Sequence, residues 1–483
     1  MPDPPLIVPL EGVLLQTDLT AEVLARFAKL APRELLLAPL TAMRGGRAAL
    51  YRRAAAKVGL ENLRQLLRKP VVEWVNAALD EGRPVFIVAA EARSAAQVLP
   101  EEWERCEILT PAEGVPDRGK GLADALARRF GPQGYDFIGG PHATHGALGA
   151  ARKAYAAVRD DRPGHLRGAF RHANDLEVIA TLQGTSWRDW LFELRLHQWA
   201  KNLLIMLPSL SGHHLSGIYQ IGGLIASFLA MGLCASATYV WNDILDVESD
   251  RRHPRKRRRL LASGRTSLGR AFLASLVLLT AALTGGFLLN RAFGVVLLIY
   301  VLLTVSYSTF FKRVALIDLF LLTSLYLVRI VAGVVVGETL PSFWLFGFSF
   351  LFFLSLAAAK RQVELQRNPP AAGETVHGRG YLGSDLPLLS GLGIATAVAS
   401  VMMLALYSDS EHVQLLYRRP EWLWGACVLC LFWVSRVWLL TIRCELHDDP
   451  VVFAIKDKFT VPLALLGLLI FFMAGPMTGP LSN

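Results

Sequence analysis

Two hydrophobic regimes divide this chain. From about Trp199 to Gly475 the apolar residues run nearly unbroken in segments of membrane-spanning length. From Met1 to about Val158 they come in short bursts between polar stretches, as in a soluble domain. The long runs predict nine spans: about Asp189–Leu210, Ile218–Val240, Ala271–Leu289, Phe293–Phe311, Ala315–Val336, Phe343–Ala359, Leu386–Tyr407, Trp422–Ile442 and Phe459–Gly475. Arg195 and Lys201 interrupt the first.

The short bursts predict strands. Leu6–Leu10 leads into a tight turn at Gly12, and Pro84–Ala90 and Tyr135–Gly140 are further apolar strands with helical patterning nearby. Alternation of this kind predicts an α/β sheet over residues 1–158. Residues 159–185, opening on Arg159-Asp-Asp-Arg-Pro-Gly and broken by Pro163, Gly164 and Gly168, read as a linker. Its apolar patch Leu176–Leu182 fits an interfacial or docking helix. Residues 186–483 then form an all-α membrane bundle.

Charge fixes the expected orientation. With the N-terminal domain in the cytoplasm, the inward loops carry Arg251–Arg259, Lys312, Arg313, Lys360, Arg361, Lys456 and Lys458, against Arg291, Arg418 and Arg419 outside. The start, Met1-Pro-Asp-Pro-Pro, has neither a basic region nor an apolar core of signal type, so no cleaved export signal is expected. The setting is a bacterial inner membrane, multi-pass, with membrane lipids as surroundings. The net charge of +10 is spent in these loops, and no nucleic-acid partner is expected. Cys427 and Cys430 form a CxxC inside an apolar segment and read as packing residues.

Candidate chemistry sits at the inner end of the second span. Asn242, Asp243, Asp246 and Asp250 are followed at once by His253, Pro254, Lys256 and Arg259. At 3.6 residues per turn the three aspartates fall at i, i+3 and i+7 on one helix face. Clustered carboxylates beside a membrane repel one another unless something divalent neutralises them. Hard oxygen ligands suit Mg²⁺ carried on substrate phosphates, and the adjoining cations suit those same phosphates. A purely membrane-anchoring role fits the bases but not three acids facing an anionic lipid surface.

The pattern Asn242-Asp-x-x-Asp246-x-x-x-Asp250-x-x-His253-Pro254-x-Lys256-x-x-Arg259, closing on Ala262-Ser263-Gly264, resembles the first signature of the UbiA-type intramembrane prenyltransferases. Leu260 departs from the proline common there. The resemblance implies a bundle of about nine helices with a Mg²⁺-dependent site at the cytoplasmic face, acting on a polyprenyl lipid and a diphosphate-bearing donor. After the sixth span, where aromatic-acceptor members carry a second acidic motif, this chain has Lys360, Arg361 and a single Glu364. That looks most like the decaprenyl-phosphate phosphoribosyltransferase branch. It implies phosphoribosyl transfer from phosphoribosyl pyrophosphate to a polyprenyl phosphate. Prenyl transfer to an aromatic acceptor such as 4-hydroxybenzoate is the alternative.

On this reading Asp243, Asp246 and Asp250 hold the metal, with Asn242 beside them. Lys201, Asn202, His253, Lys256, Arg259, Tyr307, Lys312, Arg329, Lys360, Arg361, Glu364 and Tyr381 are the substrate-binding candidates. Trp199 fits an interfacial anchor. Arg329 lies deep in its span and needs an interior partner. Asp318 cannot be that partner, since eleven residues of helix separate the two by about 16 Å.

Residues 6–158 resemble the haloacid dehalogenase superfamily with its catalytic positions replaced. Pro9 stands for the nucleophilic Asp, Glu11 for the general acid, Ala89 or Ala90 for the Thr/Ser, and Gly140 with Thr144 for the metal pair. Only Lys120 stays in pattern. Covalent phosphoryl transfer needs a carboxylate nucleophile and a metal, so the resemblance implies an inactive phosphatase-like domain.

Overall fold

The computed structural model describes residues 3–31, 34, 51, 53–116, 120–140, 145–159, 176–182, 184–211, 217–254, 256–367, 369–370, 375, 379–446, 453–454 and 457–475. Arg255, Lys456 and Thr144 lie outside these, as does the side chain of Lys120. The chain divides into two compact units, Met1–Leu194 with Val240–Ser275, and Arg195–Tyr239 with Leu276–Asn483.

The first unit holds a six-stranded sheet in the order β3-β2-β1-β4-β5-β6, every pairing parallel. Its strands are β1 (Leu6–Pro9), β2 (Val85–Val88), β3 (Glu107–Leu109), β4 (Asp136–Gly139), β5 (Ala154–Arg159) and β6 (Leu176–Leu182). The three apolar bursts read from sequence are the adjacent central strands β2, β1 and β4. Leu6 and Val8 of β1 enter one core while Ile7 enters the other, the two-residue alternation of a sheet covered on both faces. The patch Leu176–Leu182 is not a helix. It is edge strand β6, its β-branched residues pairing along β5.

Helix α1 (Leu19–Leu30) follows β1 and starts at Asp18, whose side chain accepts from the Ala21 amide at 3.1 Å. Ala21 and Ala25 of α1 pack on Val240, Ile244, Val247, Leu261, Leu268 and Ala271. Thus the Val240–Ser275 segment shares a core with the first turns of the α/β sheet.

Among the described residues seven helices are long and apolar enough to cross a membrane. They are Ile218–Arg252, Leu268–Leu289, Arg291–Thr309, Ile317–Gly337, Phe343–Arg367, Gly383–Ser408 and Pro420–Ile442. They correspond to the second through eighth expected spans. The expected first span is broken into Trp187–Glu193, a tighter 3-10 stretch Leu196–Met206 and Leu207–Ser211, with left-handed Arg195 at the break. The expected last span is the 15-residue helix Thr460–Ala474, about 22 Å long and short of a ~30 Å hydrocarbon layer. Leu273, Val277, Leu302, Met402, Leu468 and Phe472 point outward, as apolar side chains facing lipid do. The chain is an integral membrane protein.

Glycines set the close approaches in the second unit. A Cβ on Gly333 would collide with the Ile205 carbonyl oxygen, and one on Gly337 with Ser209, so the 3-10 stretch lies directly on Ile317–Gly337. Gly393 likewise receives the Trp438 ring, whose Nε1 donates to Ser355 Oγ at 2.9 Å.

Candidate active site

The helix Ile218–Arg252 runs unbroken through Asn242, Asp243, Asp246 and Asp250. Asp243 and Asp250, two turns apart, are 2% and 3% exposed. Both converge on one nitrogen: Arg259 Nη1 donates to Asp243 Oδ1 at 3.0 Å and to Asp250 Oδ2 at 2.6 Å. Lys256 Nζ stands 3.6 Å from Asp250 Oδ1. Asp246 is turned outward and faces Lys29 Nζ of α1 at 3.8 Å. The carboxylates expected on one face are therefore divided into a buried pair and a half-exposed third. His253 Nδ1 accepts from the Lys256 amide at 3.3 Å, which shapes the turn into the basic run. Asn242 is half-buried within the helix, one position before Asp243.

Among the described residues no group of three or more His, Cys, Asp or Glu side chains converges as a metal cage. What the pair does offer is two hard oxygens aimed at one cation position, now held by a guanidinium nitrogen. That donor set fits a Mg²⁺ ion which takes the rest of its shell from phosphate and water. It would not fit a metal bound by protein alone. Burial opposes the charge on Arg259, but Asp243 and Asp250 outweigh it and raise its pKa, so its proton stays.

The second unit carries two buried polar clusters. In one, Arg361 is 2% exposed and its nitrogens go to Asp318, to Glu364 and to Tyr307 Oη at 2.6 Å. Arg379 joins it, donating to Glu364 at 3.1 Å and to Tyr307 at 3.1 Å, and Tyr381 donates to Asp318. Tyr307, Arg361, Glu364 and Tyr381 are thus brought together. Arg379 and Asp318 complete the set and were not among the binding candidates. Their signal was present in sequence: an acid inside an apolar span must find a cation. Lys360 and Lys312 are half-buried near the ends of their helices.

In the other cluster Arg329 Nε donates to Asn202 Oδ1 at 2.9 Å and Nη2 to Tyr300 Oη at 3.2 Å. The interior partner that Arg329 required is Asn202, delivered by the 3-10 stretch. Lys201 is buried with its ammonium 5.6 Å from the Tyr326 ring centre. Trp199 packs its ring on Gly232, and its Nε1 donates to Ser236 Oγ at 2.9 Å. Arg436, inside the eighth expected span, is paired with Asp457 at 2.8 Å.

The model of the UbiA prenyltransferase family matches residues 206–459, more than half of the chain. The chain belongs to that family. The UbiA region therefore includes the aspartate helix and both buried clusters, apart from the residues of the 3-10 stretch before 206. Among relatives, an uncharacterized protein y4nM of Sinorhizobium fredii is 36% identical over 482 residues, covering 97% of this chain and 91% of its own. Its likeness extends through the α/β sheet as well as the helices. Nodulation protein NoeC of Azorhizobium caulinodans is 32% identical over 58% of this chain and 91% of its own length. Decaprenyl-phosphate phosphoribosyltransferase of Mycolicibacterium smegmatis is 27% identical over the same shares, 58% and 91%.

Proposed function

We propose that this UbiA-family protein transfers phosphoribosyl from phosphoribosyl pyrophosphate to a polyprenyl phosphate at the cytoplasmic face of a bacterial inner membrane. The observation that carries the reading is the convergence of Asp243 and Asp250 on one cation position beside Lys256 and Arg259. The likeness to phosphoribosyltransferases supports the choice of donor. So does the charge at the end of Phe343–Arg367, where one acid, Glu364, is outnumbered by Lys360, Arg361 and Arg367.

Asp243 and Asp250 would hold the metal, with Asp246 joining once Lys29 gives way. Bound Mg²⁺ would neutralise the departing pyrophosphate. Arg259 and Lys256, released from the carboxylates, are placed to bind phosphate oxygens of the same leaving group. The acceptor is an ionised lipid phosphate, so no protein base and no protein nucleophile is needed. Catalysis then rests on positioning and electrostatics. In the second unit, Arg329 with Asn202 and Tyr307 with Arg361 are fixed donor sets of the kind that bind phosphate oxygens.

For residues 1–158 we infer a haloacid dehalogenase-like domain without phosphatase chemistry. The parallel sheet supports the first half and Pro9 at the end of β1 supports the second. The test of the transfer uses purified full-length protein with two labelled mixtures. One holds phosphoribosyl pyrophosphate with polyprenyl phosphate, the other polyprenyl diphosphate with 4-hydroxybenzoate. Label entering lipid in the first supports the reading, and label transfer in the second alone overturns it.

A further inference from the structure

The first unit contains a cavity of about 1070 Å³ that the transfer chemistry does not use. Its floor is the carboxyl ends of the sheet: Pro9 after β1, Val88 to Ala90 after β2 and Gly140 after β4. In the order β3-β2-β1-β4-β5-β6 the chain reverses direction at β1, and open parallel sheets bind ligands in the crevice at that point. A Cβ on Gly140 would strike the Gly12 carbonyl oxygen, so this glycine keeps the turn after β1 tight against β4.

The walls are the unexpected part. Arg68 and Lys69 come from the α/β part, and Arg257, Arg258, Arg265 and Arg270 from the segment after the aspartate helix. With Arg251, seven cationic side chains line the space against two carboxylates, Glu11 and Asp18. Asp18 is spent capping α1, Arg251 is held by Glu22, and Arg265 is paired with Asp189 at 3.0 Å. The helix Lys69–Asp80 also begins at this wall, adding the positive end of its dipole. Like charges gathered around one concavity repel each other and focus a field that an anion relieves. Gly264, with φ +71°, brings the loop Ala262–Arg265 onto Gln16, which closes the wall.

We propose that this cavity binds an organic phosphate bearing two or more phosphoryl charges, independently of the aspartate pair. One phosphate would fill little of the space, which is at the upper end for small-molecule sites. The cations are spread over separate segments, which suits charge at two ends of a ligand. Such a ligand joins the α/β sheet to Arg257 and Arg258, the residues between Lys256 and Arg259. Occupancy would thus bear on the turn that places those two bases against Asp250.

The test is binding to full-length protein in detergent with a chelator present. The probes are pyrophosphate, fructose 1,6-bisphosphate, micellar polyprenyl diphosphate, and ribose as the uncharged control. The expected result is binding of a phosphate probe but not ribose, weakening as salt rises. Binding should survive Asp243→Asn, because it needs no metal. Lys69→Glu, Arg257→Glu and Arg258→Glu, all at exposed positions, should each weaken it about tenfold or more, while Arg258→Lys retains it. Unfolding midpoints of the ligand-free variants, unchanged from the parent, keep loss of binding separate from loss of fold. Binding by the soluble probes identifies a cytosolic ligand, and binding by polyprenyl diphosphate alone identifies a lipid headgroup. No binding by any phosphate probe, binding lost in chelator, or affinity indifferent to the charge reversals would overturn the proposal. Failure of phosphoribosyl transfer would leave it standing.

Discussion

Glu22 and Arg251, 229 positions apart, form a two-pronged ion pair with no exposure to solvent at the carboxylate. Arg251 Nη1 and Nη2 donate at 2.9 and 2.5 Å, Thr17 Oγ1 donates to the same carboxylate at 2.9 Å, and Arg251 Nε reaches the Ala262 carbonyl. The pair ties α1 to the end of the aspartate helix. Removing one partner strands a buried charge, at a cost of about 3–5 kcal/mol, whereas replacing both by apolar residues of similar volume is close to neutral. Glu22→Ala should therefore lower the thermal midpoint of the purified protein sharply, and Glu22→Met with Arg251→Leu should recover most of it. A single variant as stable as the parent would refute this.

The division of the three aspartates makes their substitutions unequal. Asp243→Asn and Asp250→Asn should reduce transfer about 100-fold or more, and chelation of Mg²⁺ should abolish it, because both oxygens at the convergent position are then compromised. Asp246→Asn should be milder. Steady-state rates of the three variants at saturating Mg²⁺ decide this, and equal losses would count against the paired arrangement.

On the proposed reading, Lys29 would compete with a metal for Asp246. Their contact is 3.8 Å and part-exposed, so it is worth no more than about 1 kcal/mol. Lys29→Ala should then tighten Mg²⁺ dependence by up to about fivefold, read as a lower half-saturating concentration in the transfer assay. A weaker dependence would show that Lys29 assists the metal instead.

Acid should loosen the α/β sheet through Asp136. Burial would raise its carboxyl, but hydrogen bonds from Arg152, at 2.8 and 3.0 Å, and from Arg83 outweigh this and hold it below the ordinary carboxylate range. A folded pKa below the unfolded value of about 3.9 gives stability that is full above that value and fades as pH falls through the folded pKa. Asp136→Asn should lower the unfolding midpoint at neutral pH and flatten its decline below pH ~4. Parallel acid limbs for parent and variant would contradict it.

What could be read from the sequence followed the strength of the local signal. Central strands β1 and β2 are apolar throughout and β4 is apolar after Asp136, while β6 mixes Glu177 and Thr181 into its run and passed for a helix. Seven spans were legible because a bilayer demands unbroken apolar length. The stretch from Leu196 was not, because its 3-10 winding depends on Gly333 and Gly337, far along the chain. In the site, the aspartate register put all three carboxylates on one face, whereas the structure buries Asp243 and Asp250 and turns Asp246 to Lys29. The partners Arg259, Lys29 and Glu22 depend on tertiary packing, and no spacing encodes Lys29 beside Asp246. Arg329 announced its need for a partner without naming Asn202.

The boundary at Tyr239/Val240 falls inside a single unbroken helix, so neither compact unit corresponds to a stretch of gene that could be cut out. Removing the front of this chain would uncover Ile244 and Val247 and orphan Arg251, and the aspartate end of the rod would need a new cover. In this chain the cover over that helix end is therefore part of the fold itself, whether or not the α/β sheet carries any chemistry of its own.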